Sequence, residues 1–180
     1  MKKLTTYIIL VSITLASIAC SSEASLQKYY IDSQDDKNFL SVDIPSSIIA
    51  LKDDVSPEAK EALKSLKKMN VLAFKKSATN EAEFAVEKKK VKAILKNAKF
   101  KELMRFNDKG RKVVIKYEGD DDSMDEVIIY ATDKTQGFAL VRVLGDNMEP
   151  GKIMKLVNSI NDVDGGNEAL KQLEGFFKVK

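Results

Sequence analysis

The chain has 180 residues, of which 44% are apolar and 32% charged, and its 30 basic and 27 acidic side chains give a formal charge of +3. This composition predicts one globular domain and excludes a disordered tail, a collagen-like repeat and a multi-domain enzyme. The sequence contains no His and one Cys. It therefore lacks the usual general base, the commonest metal ligand and the Ser/His or Cys/His pair of nucleophilic catalysis.

The first residues have the pattern of an export signal. Met1 is followed by Lys2 and Lys3, and an apolar stretch then runs over residues 4–19. This stretch is shorter than the roughly 20 residues that a helix needs to cross a bilayer. We therefore expect a lipoprotein signal peptide over residues 1–19 and no permanent membrane span.

The apolar stretch ends in Ser17-Ile18-Ala19-Cys20, which resembles the bacterial lipobox. In that motif the Cys thiol receives a diacylglycerol, the chain is cleaved before it, and Cys20 becomes the first mature residue. The alternative is a secreted protein with a chance Cys. Because Cys20 has no second Cys to pair with, lipidation at Cys20 is the better explanation, and two or three acyl chains would hold the domain on a lipid bilayer.

Loss of the signal peptide removes Lys2 and Lys3 and leaves a nearly neutral chain. A nucleic-acid binder needs a concentrated basic surface, so we expect no nucleic acid partner. The basic run Lys88–Lys90 follows Glu81, Glu83 and Glu87 on one predicted helix and is interpreted as a solvated face.

The mature chain begins with a polar segment, residues 20–38, which predicts a lipid-anchored tether that can dock in part. Period-two alternation over residues 40–44 predicts a strand. Ser56-Pro57 opens a helix whose apolar spacing continues to Met69 or Asn70, and the short apolar run over residues 71–75 predicts a buried strand. A second helix begins at Asn80 in a pattern typical of a capping box.

Four strand-like runs separated by turn residues follow, over residues 103–106, 112–117, 126–131 and 138–144. Such runs predict an antiparallel meander, and a turn over residues 107–110 is predicted to end in a left-handed Gly110. The broken alternation of the runs suggests cover on both faces. Pro150 can open a helix, and a last helix after Gly166 either docks on the domain or faces a partner. The predicted fold class is α+β: a mixed, mainly antiparallel sheet (β-α-β-α followed by a four-stranded meander) with C-terminal helices packed on it, in one domain over residues 39–180.

One turn carries the densest acidic cluster of the chain. Carboxylates bind hard cations, but this run lacks EF-hand spacing, and a surface turn is the simpler interpretation. A pair of carboxylates also suffices for glycoside hydrolysis, so a small carboxylate-dependent glycan hydrolase is the alternative function. No catalytic residue and no cofactor are predicted. The candidate metal ligands are Asp120, Asp121, Asp122, Asp125 and Glu126.

Arg142 lies inside the apolar run 138–144. If its strand is central, the guanidinium must meet a carboxylate or a carbonyl, or line a cleft. Arg142 is therefore the one candidate binding residue, with a structural ion pair as the alternative.

Several segments resemble a known family. They are the lipobox, Leu26–Tyr30, Asp43–Pro45, Asn70–Lys75, Asp125–Ile128 and Gly137–Gly145. Together they are similar to the Bacteroidetes lipoproteins grouped as domain of unknown function 4252. The resemblance implies an anchored α+β domain with a role in envelope sensing, and it implies no activity or ligand.

These observations favour a non-enzymatic outer-membrane lipoprotein that binds another envelope protein or an envelope component. The residues leave open whether the domain faces the periplasm or the cell surface. A homodimer joined through a sheet face that the helices leave bare is a further expectation.

Overall fold

The computed structural model of the protein describes residues 25–49, 55–108 and 110–159. Ten elements of regular structure follow one another in these ranges, with a short 3₁₀ turn at Ser46–Ile48 after the first strand. They are α1 (Leu26–Ser33), β1 (Phe39–Pro45), α2 (Pro57–Ser65), β2 (Leu66–Lys75), α3 (Glu81–Ile94), β3 (Lys101–Asp108), β4 (Arg111–Gly119), β5 (Met124–Asp133), β6 (Gly137–Met148) and α4 (Pro150–Ser159).

The strands form one six-stranded sheet in the order β1-β2-β6-β5-β4-β3. Every described strand pair is antiparallel. This confirms the α+β class and the four-stranded meander, whereas the prediction of a mixed sheet is wrong. The reason lies in α3, which carries the chain from β2 to the far edge of the sheet, so that β3 begins there and β6 closes the gap beside β2.

Two helices, α1 and α3, pack on one side of the sheet, which we call the helical face. Their apolar side chains meet alternate residues of the central strands in the main core of the domain. Phe74 and Phe138 stack at its centre with ring centroids 5.6 Å apart. The α3 residues Phe84, Val91 and Ile94 are buried against this layer.

The opposite side of the sheet is the second face. There α2 and α4 pack on each other, with Ala59, Ala62 and Leu156 buried between them. Below them, Met124, Val127 and Met148 form a separate small core. As predicted, Ser56 caps α2 by accepting a hydrogen bond from the Ala59 amide at 3.3 Å, and Pro57 occupies the first turn.

α1 lies within residues 20–38, the segment predicted as a tether. The Ser25 hydroxyl caps this helix by accepting a hydrogen bond from the Lys28 amide at 3.0 Å. Leu26, Tyr29 and Tyr30 are 3 to 7% exposed. Residues 26–33 are thus part of the core, because three closely spaced apolar side chains of this short helix fit the helical face.

The turn before β6 depends on a glycine. Gly137 has φ +125°, and a Cβ added there would lie 1.9 Å from the Phe74 carbonyl oxygen. Only glycine permits this approach of β6 to β2. The predicted left-handed Gly110 is also found, with φ +86°.

None of the helices in the described ranges has the length and apolarity to cross a membrane. The predicted signal peptide, Cys20 and the last predicted helix after Gly166 lie outside the described residues.

Candidate functional site

β3 forms one edge of the sheet, and within the described residues no strand pairs with its outer side. All its side chains from Lys101 to Asn107 are exposed. They include Leu103 (37% exposed), Met104 (38%) and Phe106 (45%), which are three of the six exposed large apolar side chains of the described residues. A long exposed edge strand with apolar side chains is a template for pairing with another chain.

An apolar surface on the second face continues from β3 towards the centre of the sheet. Met104 lies opposite Ile115, and Phe106 lies opposite Val113. On β5, Ile129 lies opposite Ile115. Because Val113, Ile115 and Ile129 are only half-buried, α2 and α4 do not fully cover this half of the second face.

Two charged side chains of β3 bind each other across a β-bulge. Arg105 donates to both carboxylate oxygens of Glu102, at 3.0 and 2.7 Å. The strand register shifts between Glu102 and Met104, which places Leu103 in the bulge. Both charged side chains are well exposed, so the pair contributes little stability by itself.

Arg142 lies on β6, which is a central strand. Its guanidinium donates two hydrogen bonds to Glu126 on β5, at 2.8 and 2.9 Å, and a third to Gln27 of α1. The side chains of Arg142 and Glu126 are 13% and 7% exposed. The structure therefore places this arginine in a bidentate, largely buried ion pair beneath α1.

The acidic run is divided between two environments. Asp121 accepts hydrogen bonds from Lys101 at 2.7 Å and from Tyr117 at 2.9 Å in an exposed turn. These contacts lower the pKa of Asp121, chiefly through the hydrogen bond from Lys101. Asp120, Asp122 and Asp125 are exposed, whereas Glu126 binds Arg142 on the helical face. Nowhere in the described ranges do three or more acidic, His or Cys side chains come together in a group that could hold a metal ion.

Polar residues that the sequence analysis did not single out surround Arg142. The Tyr30 hydroxyl donates to the Leu140 carbonyl at 2.7 Å and to the Asn70 carbonyl at 3.2 Å. Burial raises the pKa of Tyr30 above its usual range. The Asn70 amide in turn donates to Asp43 on β1. Period-two alternation places Asp43 and Asn70 on the face of Arg142, but the order of the strands is needed to make them neighbours.

A family model described as a domain of unknown function (DUF4252) matches residues 29–156. The chain belongs to this family. The match begins in α1 and ends in α4, so the DUF4252 domain includes the whole sheet and all four helices at least in part. No curated protein and no solved structure matches the chain.

The DUF4252 match contains the exposed edge strand β3, the Arg142–Glu126 pair and the acidic turn. It begins inside the segment predicted as a tether, in agreement with the buried position of Tyr29 and Tyr30.

The sequence predicts β3 only in part. The run 103–106 predicts a strand, but nothing in its pattern indicates that this strand forms an edge of the sheet.

Proposed function

We propose that this DUF4252 protein is an outer-membrane lipoprotein, anchored through acylated Cys20, that acts without catalysis by pairing with other protein chains. The lipobox residues 17–20 and the resemblance to Bacteroidetes lipoproteins support the anchor. The observation that carries the interaction is the exposed edge of β3 with its apolar neighbours on the second face.

The occupant that best fits this edge is a second copy of the chain. In an antiparallel β3–β3 pair with its twofold axis between Leu103 and Met104, Glu102 of each copy lies opposite Arg105 of the other. Opposite charges at facing positions stabilise a strand pair, and like charges destabilise it. Charges on an edge normally prevent unspecific pairing, so this arrangement would favour self-pairing over other edges.

The proposed anchor strengthens this pairing. Two copies held in one leaflet have a much higher effective concentration than two copies in solution. An interface made of one strand and a small apolar surface then suffices for association, even where its area falls short of the roughly 800 Å² per partner of a standard interface.

The test combines charge exchange with light scattering of the full-length protein in a non-ionic detergent. Glu102→Arg sets arginine against arginine at two symmetric positions and should weaken the dimer about tenfold. The double exchange Glu102→Arg/Arg105→Glu restores opposite charges and should restore the dimer. Lys60→Glu, a charge reversal at an exposed position of α2, is the matched control and should leave the dimer unchanged.

Photo-crosslinking in intact cells identifies the occupant. A photoreactive residue in place of Leu103 should join two copies, whereas the same residue in place of Val86, which is 52% exposed on α3, should not. Crosslinks from position 103 to a different envelope protein would keep the binding role but refute self-pairing. Crosslinks only within one chain, or none, would refute pairing through β3.

A further inference from the structure

A basic groove runs along the helical face, between α3 and strands β3 to β5. It consists of two hollows of about 210 and 430 Å³, which share Lys92, Arg105, Val114 and Tyr130 as lining residues. The sheet forms its floor and α3 forms one wall. Tyr130 in this floor belongs to the main core, whereas the basic side chains of the groove lie outside it.

Basic side chains outnumber acidic side chains among the lining residues of the groove. The first hollow contains Lys88, Lys92, Lys112 and Lys134. In the described ranges none of Lys92, Lys112 and Lys134 forms an ion pair. The run that reads as a solvated helix face thus contributes Lys88 to a shared basic site.

The lysines lie close enough to repel one another. The pKa of Lys88 is lowered, first by partial burial and then by the charges of Lys92, Lys112 and Lys134. Like charges held together are unfavourable unless an anion lies between them. The one acidic side chain in this hollow, Asp133, already accepts hydrogen bonds from Thr135 and Gln136.

Two hydroxyl groups beneath the lysines have no hydrogen-bond partner. Tyr130 is 4% exposed and Thr132 is 8% exposed, both line the groove, and both hydroxyl oxygens are buried. Burial raises the pKa of Tyr130 to about 12, although the nearby Thr132 hydroxyl lowers it in part. The two hydroxyl groups form no hydrogen bond with each other. A buried polar group without a partner is costly and often marks a missing ligand or ion.

We propose that this groove binds a phosphoryl group, with Lys88, Lys92, Lys112 and Lys134 supplying charge and Tyr130 and Thr132 donating hydrogen bonds. Arginine binds carboxylates and phosphates through its planar fork, whereas lysine binds phosphate as a point charge. The arginine of the groove, Arg105, is already paired with Glu102. The long lysine side chains can part to let an oxyanion reach the hydroxyls.

The phosphoryl group has two sources that the same chemistry would recognise. One is a small free anion, such as phosphate or pyrophosphate, and the other is the headgroup of an anionic lipid. Arg105 lines the groove and also takes part in the proposed β3 pairing, but the groups proposed to bind the phosphoryl group lie on α3, β4, β5 and the turn after β5.

Calorimetry on the full-length protein in a non-ionic detergent, at constant ionic strength, tests the site with inorganic phosphate and pyrophosphate. Co-sedimentation with phosphatidylcholine vesicles, with and without phosphatidic acid, tests the lipid source. We expect saturable binding of pyrophosphate, of phosphatidic acid vesicles, or of both. Binding only to the vesicles would identify a lipid headgroup as the ligand, and binding of free pyrophosphate would identify a soluble phosphate.

Matched variants locate the binding. Lys92→Gln/Lys112→Gln should weaken it at least about tenfold, and Tyr130→Phe, which keeps the aromatic ring, should weaken it about tenfold by removing one donor. Lys60→Gln/Lys64→Gln removes two charges from α2 on the other face and should have no effect. The proposal is overturned if neither probe binds, if both groove variants bind like the parent, or if the α2 variant loses binding equally.

Discussion

Glu126 and Arg142 form a bidentate ion pair that is largely closed to solvent. Loss of one partner leaves the other charge buried and uncompensated, which costs about 3 to 5 kcal/mol. We expect Glu126→Gln to lower the free energy of unfolding by about 3 kcal/mol in urea denaturation. Arg142→Met/Glu126→Leu, which removes both charges, should be closer to the parent than the single variant. A single variant within about 1 kcal/mol of the parent would show that the pair is not structural.

The sequence around Tyr130 predicts the position of its ring but not the state of its hydroxyl group. Its place in the run 126–131 predicts a strand, and its ring does contact Phe138 in the core, at 5.8 Å between centroids. The unpartnered hydroxyl has no sequence signature. Lys88 is similar: its charge pattern indicates a solvated helix face, and only the placement of α3 over the sheet turns it towards Lys112 and Lys134.

The same hydroxyl allows a prediction of stability. Because it is buried without a partner, Tyr130→Phe should raise the free energy of unfolding of the anion-free protein by about 1 kcal/mol. Urea denaturation in a phosphate-free buffer measures this change. A loss of stability of similar size would mean that the hydroxyl has a structural partner, such as a bound water, and is not waiting for a ligand.

At the scale of elements, α1 can be tested as part of the core by two variants of the same helix. Leu26 is 3% exposed and Ile31 is 54% exposed. Leu26→Ala should cost about 2 to 5 kcal/mol through lost burial and a cavity, whereas Ile31→Ala should stay within about 0.5 kcal/mol. Thermal or urea unfolding gives both values. Equal, small effects would return residues 26–33 to the role of a tether.

The turn between β5 and β6 makes the stability of the sheet depend on pH. Asp133 accepts hydrogen bonds from the Thr135 amide at 2.7 Å, the Thr135 hydroxyl at 2.6 Å and the Gln136 amide at 3.0 Å. These bonds, chiefly the one from the Thr135 hydroxyl, lower the pKa of Asp133 to about 2, against roughly 4 in an unfolded chain.

The stabilising effect of this carboxylate is fully present above pH 4 and is lost as the pH falls from about 4 to about 2. In this window the difference in stability between the parent and Asp133→Asn should shrink as the pH falls, because the variant has no proton to bind there. Thermal unfolding midpoints of both proteins at several pH values measure this. A difference that is independent of pH would contradict the role of Asp133.

Elements that local patterns define were predicted well, and those that need tertiary contacts were not. Ser56-Pro57 and the left-handed Gly110 mark ends that backbone geometry fixes. By contrast, the helical periodicity from Ser56 continues towards Met69, yet β2 begins at Leu66, because residues 66–70 pair with β6. Asn80 is the N-cap residue of α3, as predicted, but its side chain accepts no capping hydrogen bond from the helix. The side-chain NH₂ group of Asn80 donates instead to the Lys75 carbonyl and to the Asn38 side chain.

At the scale of the whole molecule, strand order decides which surfaces are available. The four strands of the meander are consecutive neighbours, as the short turns between them predict. The pairing of β6 with β2 joins distant parts of the chain, and no turn sequence predicts it. Because β6 pairs with β2, Arg142 lies near the centre of the sheet and β3 lies at its edge. The buried pair and the exposed edge are therefore two consequences of one topology.

The proposed lipid anchor would hold these surfaces at the membrane, and substitution of Cys20 tests it. Without its thiol no acyl chain can be attached, and the acyl chains are what would hold the domain on the membrane. We expect Cys20→Ala to lose metabolic labelling with a fatty acid and to leave the outer-membrane fraction, whereas Ser22→Ala keeps both. Since confinement in one leaflet is proposed to strengthen β3 pairing, crosslinking from position 103 should fall together with the label. A Cys20→Ala protein that keeps its label and its crosslinks would refute lipid anchoring through Cys20.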